Sequence, residues 1–144
     1  MANQNPQPSM LTARFDVPFG AAGAIAVGTT FSNVVTTQQA YNEIIYVYGL
    51  NVQALGDDGL EDSALVDVNW DIQIVSGPNS IPTNDFDFAY IYNRQDKTIA
   101  FSSPIVITHR QPLQVVLERT GAGANMTQAS TFLITLIGEL VVMA

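Results

Sequence analysis

The side chains able to do chemistry in this chain are few and scattered. His109 is its one imidazole and there is no cysteine, which excludes thiol nucleophiles, disulfides and cysteine-based zinc sites. His109 lies in Thr108-His109-Arg110-Gln111-Pro112, a stretch that reads as a turn leaving a strand, and no Gly-x-Ser-x-Gly elbow presents a serine to it. Gly121-Ala122-Gly123 lacks the lysine and the following helix of a phosphate-binding loop. The chain is expected to be no enzyme.

Carboxylates are the more concentrated resource. Asp57, Asp58, Glu61, Asp62, Asp67 and Asp71 crowd into one short stretch. Hard oxygen donors close together suit Ca²⁺, so Asp57, Asp58, Glu61 and Asp62 are the candidate metal ligands and calcium the one candidate cofactor. The stretch does not match the Asp-x-Asx-x-Asx-Gly calcium loop, and its plainer reading is a solvated acidic tip. Asp67 and Asp71 share a strand face about 13 Å apart, too far for the paired carboxylates of a glycosidase. Tyr90 and Tyr92 continue an alternation begun by Phe86 and Phe88. Exposed, with Tyr46, Tyr48 and Trp70, they would stack a sugar ring; otherwise the stripe is core. Trp70 shares its face with Val66, Val68, Ile72 and Ile74, which favours core for that residue.

The elements that carry these residues are strands. Period-2 alternation predicts long strands over Glu43–Ala54, Leu65–Ser76, Asp85–Tyr92 and Ser130–Met143, with shorter ones at Ala13–Val17, Gly23–Thr29, Phe31–Thr36, Lys97–Phe101, Pro104–Thr108 and Leu113–Arg119. In Glu43–Ala54 the faces divide as Ile44, Tyr46, Tyr48, Leu50, Val52 against Ile45, Val47, Gly49, Asn51, Gln53, so one end is apolar on both sides and should be covered on both. Gly138 marks a bulge or a close backbone approach. Without helical crossovers this is an all-β antiparallel β-sandwich, best matched by a jelly roll of about eight strands, with an immunoglobulin-like sandwich as the alternative. Residues 1–12 read as a flexible polar N-terminal arm and 13–144 as a single sandwich domain.

Composition bounds the partners. The 144 residues carry 13 acidic and 5 basic side chains, a formal charge of -8, and Lys97 is the only lysine, so direct nucleic-acid binding through phosphate contacts is not expected. Charged residues make up 12%, about half the usual share, while neutral Ser, Thr, Asn and Gln outnumber them two to one. A surface so poor in charge suggests cover by copies of the chain or by a partner. No run of about 18 apolar residues offers a membrane span, and Met1–Met10 has no positive region or apolar core of a cleaved signal peptide.

The polar arm Asn3-Gln4-Asn5-Pro6-Gln7-Pro8, the strands 112–119 and 131–140 and the Cys-free, Lys-poor make-up together resemble a small virion protein of the β-sandwich (jelly-roll) kind, as among capsid and decoration proteins of bacteriophages and other viruses. The resemblance is one of style over the whole chain and has no diagnostic motif. It implies a structural homo-oligomer, trimeric or lattice-forming, that contacts other virion proteins, with the arm reaching onto a neighbour. It also implies synthesis in the host cytoplasm and residence in the virion. The alternative reading is a carbohydrate- or surface-binding β-sandwich module.

Overall fold

A computed structural model describes residues 7–17, 28–34, 42–61, 69–76, 79–107, 113–120 and 129–142. Its elements are β1 (Gln7–Val17), β2 (Thr30–Val34), β3 (Glu43–Leu55), β4 (Trp70–Ser76), β5 (Asn79–Asp87), a one-turn helix α1 (Phe88–Tyr92), β6 (Thr98–Ile107), β7 (Leu113–Arg119) and β8 (Ser130–Val142). One four-stranded sheet runs β1-β8-β3-β6 and the other β2-β7-β4-β5. First strand pairs with last, second with seventh, third with sixth and fourth with fifth, all antiparallel. That order is a long antiparallel hairpin rolled into two facing sheets, the jelly roll. It replaces the immunoglobulin-like alternative.

The core lies between the sheets because alternate side chains of each strand are apolar and face inward. Ala13, Phe15 and Val17 of β1, Phe132, Ile134 and Leu136 of β8, and Val52 and Ala54 of β3 meet Trp70, Ile72 and Ile74 of β4 and Val115 and Leu117 of β7. Phe132 joins the layers: its ring lies 5.3 Å from Trp70 and 5.2 Å, edge-on, from Phe88. Trp70 is fully buried, as its apolar face implied.

Three expectations about elements need correction. Residues 7–12 are not a free arm: β1 begins at Gln7, which pairs with Leu140, and the register continues unbroken to Val17 opposite Ser130. The 13-residue β8 is long enough to template the polar half of β1 by backbone bonds, which need no apolar side chains. Asn3, Gln4, Asn5 and Pro6 lie outside the described residues.

The strand expected over Asp85–Tyr92 stops at Asp87, whose carboxylate accepts from Ala89 N at 3.0 Å and caps α1. Phe88, Ile91 and Tyr92, spaced for one face of a helix, are the buried residues of that turn. The alternation of Phe86, Phe88, Tyr90 and Tyr92 fits a strand equally well, and the cap decides between them. Finally, the separate strands expected at Lys97–Phe101 and Pro104–Thr108 are replaced by one strand, β6, over Thr98–Ile107.

Strand β3 changes phase midway. Ile45 and Val47 are buried, then Leu50, Val52 and Ala54, because the register against β8 slips between Val47 and Gly49. Tyr48 is the extra residue of a bulge, and both it and Tyr46 lie on the outer side of the sheet. Gly138 sits opposite Val47, where any Cβ would collide with the Tyr46 carbonyl. On the other flank a Cβ at Gly49 would come within 2.5 Å of the Ile99 carbonyl. The bulge exists because glycine lets the neighbouring backbones close around it. Against β6 the same point takes up Phe101–Pro104, since Val47 pairs with Ile105 and Gly49 with Ala100.

Candidate functional site

The bulge builds the most distinctive surface of the molecule. On the outer face of the β1-β8-β3-β6 sheet, register aligns Met10 with Ile137 and Gly49, and Pro8 with Glu139, Tyr46 and Val106. Met10 is 67% exposed, Val106 46% and Tyr48 41%. The Tyr46 and Tyr48 rings stack, 6.5 Å between centroids and 20° between planes. The Tyr48 hydroxyl donates to Glu139 Oε2 at 3.4 Å. Partial burial of the phenol and the negative charge of Glu139 both push the Tyr48 pKa upward, burial first. The expected two-sided cover of this end of β3 is therefore met on the inner side by the core, while on the outer side Tyr48 faces outward.

The other half of that face is polar. Thr12 and Thr135 hydroxyls meet at 3.1 Å, and Asn51 Nδ2 bonds Thr98 Oγ1 at 3.0 Å. Beyond them a hollow of about 550 Å³ opens by the ends of β1, β3 and β8, with Arg14, Asp16, Leu55, Asp57 and Thr131 in its lining. Asp16 Oδ1 accepts from Thr131 Oγ1 at 2.9 Å and from Arg14 Nε at 3.1 Å. The Thr131 hydroxyl, then Arg14, hold its carboxyl below the usual carboxylate range. Deeper at this end, the buried Trp70 Nε1 and Ser130 Oγ have no hydrogen-bond partner among the described residues.

The sequence candidates are placed as follows. Asp57, Asp58 and Glu61 are exposed on the turn after β3. There Gly56 N donates to Leu60 O at 2.9 Å, and Gly59 takes the left-handed φ of 79° that the turn needs. Asp58 Oδ1 accepts from Leu60 N at 3.0 Å, closing the turn on itself. Among the described residues no three His, Cys, Asp or Glu side chains group as a metal site, and Asp62 lies outside them. The calcium ligand set is not assembled by the part of the loop that is described.

Tyr90 and Tyr92 do not form a stacking platform. Tyr90 is 60% exposed, whereas Tyr92 is buried, stacked on Phe88 at 6.2 Å with Lys97 Nζ 4.5 Å from its ring centre. Two positions apart within the single turn of α1, the two rings project to different sides of the helix. Of the aromatic set the sequence offered for stacking, Tyr46 and Tyr48 are the pair that shares an outer face, and the bulge separates them from Leu50 and Val52, which turn into the core. His109 lies outside the described residues.

Fold and surface together define an all-β jelly-roll domain with an apolar patch on one outer face. No known family model matches the chain, and no curated protein was found to match it.

Proposed function

We propose that this protein is a non-enzymatic structural subunit of a virus particle, a capsid or capsid-decorating protein that associates with copies of itself through its sheet faces. The observation that carries the reading is the apolar outer patch of Met10, Tyr46, Tyr48, Val106 and Ile137 on a jelly-roll scaffold, in a chain whose neutral polar residues outnumber its charged ones two to one. By strand spacing and rise, the patch covers about 400 Å². That is as large as the biggest patch on a typical monomer, and about half of the roughly 800 Å² that each partner contributes to a standard interface. Jelly rolls recur in viral shells, where flat sheet faces and edges tile against neighbours. The polar, lysine-poor composition supports an outer or shell-bridging position over genome contact.

Absolute mass by light scattering across a range of concentrations tests the reading. A trimer or larger particle is expected, with imaging to follow. A 15.5 kDa monomer at every concentration refutes self-assembly.

One observation favours a second reading. The stacked Tyr46 and Tyr48 rings beside the Glu139 carboxylate also make a platform for a sugar ring, as in a carbohydrate-binding module. Glycan-array binding lost in Tyr48→Ala would support it, and a blank array would remove it.

A further inference from the structure

Strand β1 is an edge of its sheet, and its backbone direction can be read from two independent features. Pro8 pairs with Glu139 of β8 yet has no N–H to give, so its nitrogen faces away from β8. Arg14 O accepts from Asn33 Nδ2 of β2 at 2.9 Å, so it too faces away. Backbone groups alternate along a strand, so Pro8, Met10, Thr12 and Arg14 all present their N–H and C=O to the free edge. Asn33 covers that edge at Arg14. Among the described residues nothing bonds to the edge groups of Met10 and Thr12.

Such an edge is normally guarded by charge. Here Gln7 to Ala13 carries no charged side chain, although the chain as a whole stands at -8. We propose that this half of β1 is a pairing edge for a second copy of the chain, antiparallel and two-fold about Met10. The register is self-complementary. Each Met10 N–H donates to Met10 O of the other copy, and each Thr12 N–H donates to Pro8 O of the other copy. The missing N–H of Pro8 falls at the rim, where Thr12 O is open to water. The two sheets become continuous, and their Met10, Ile137 and Tyr48 patches join into one face.

This inference rests on the self-assembly reading and locates its contact. The absence of cysteine makes single-cysteine variants clean probes of it. A hydrogen-bonded antiparallel pair holds its Cα atoms about 5.5 Å apart, within disulfide range. Met10→Cys should therefore give a disulfide-linked dimer under mild oxidation. Thr12→Cys, whose two copies sit about 13 Å apart in this register, should remain monomeric on the same non-reducing gel. Met10 is exposed and its edge groups lie outside the β1–β8 ladder, so neither fold nor ladder is at stake. Self-association of the wild type, read by light scattering, separates the possible failures. If the wild type associates and Met10→Cys does not cross-link, or cross-links no better than Thr12→Cys, the edge is wrong and the assembly reading survives. If the wild type stays monomeric throughout, both fall.

Discussion

Gly138→Ala isolates the bulge on which the outer face depends. The added methyl would enter the Tyr46 carbonyl and press on the Val47 Cα, both backbone atoms that cannot rotate aside. Relief requires β3 to move off β8 at the pair Val47–Gly138, stretching the ladder on either side. Losing about two ladder bonds at roughly 1 kcal/mol each, with overpacking strain of about 1 kcal/mol, gives destabilisation of about 3 kcal/mol. For a chain of this size that lowers Tm by about 10 °C. Urea unfolding followed by tryptophan fluorescence reads it directly, because Trp70 is buried in the core. The midpoint should fall with the slope unchanged. Gly59→Ala is the control: nothing lies near its Cβ, and only the positive φ of 79° is strained, for about 1 kcal/mol. Equal stability of Gly138→Ala and wild type would refute the close approach and the origin assigned to the Tyr48 bulge.

Phe132→Ala removes the ring that joins Trp70 and Phe88 and should cost about 3–5 kcal/mol by urea titration. The Asp16 carboxyl, held low by Thr131 and then Arg14, should titrate below the ordinary aspartate range by NMR; Thr131→Val should raise its pKa toward that range. Because the folded pKa is the depressed one, any stability it contributes is present above the unfolded pKa near 3.9 and is lost as pH falls through the folded value. Tyr48 has the opposite sign. Its contribution is intact below the unfolded pKa near 10 and is lost as pH rises through the higher folded value, and Glu139→Gln should lower that value in an ultraviolet phenol titration.

The chain's own alternation determined that this is an all-β sandwich, where most strands lie, and that Trp70, Phe132, Ile134 and Leu136 face the core. Period-2 burial is a local property, so residues i and i+2 reveal it without reference to partners. The polar half of β1 carried no such signal, because its pairing depends on backbone bonds to residues about 130 positions away. The helical turn at Phe88 was equally hidden, whereas Gly138 marked a bulge or close approach without showing that β3 changes phase at Tyr48. A five-residue apolar segment satisfies strand and helix patterns alike, and a bulge is set by the backbones facing it, here Gly138 of β8 and Ile99 of β6. Only the tertiary structure therefore parted Tyr90 from Tyr92, turned Tyr46 and Tyr48 outward while Leu50 and Val52 turned inward, and set Met10 on the edge strand of the same sheet. Each of these placements is decided by contacts between strands far apart in the chain, which the periodicity of any one segment does not encode.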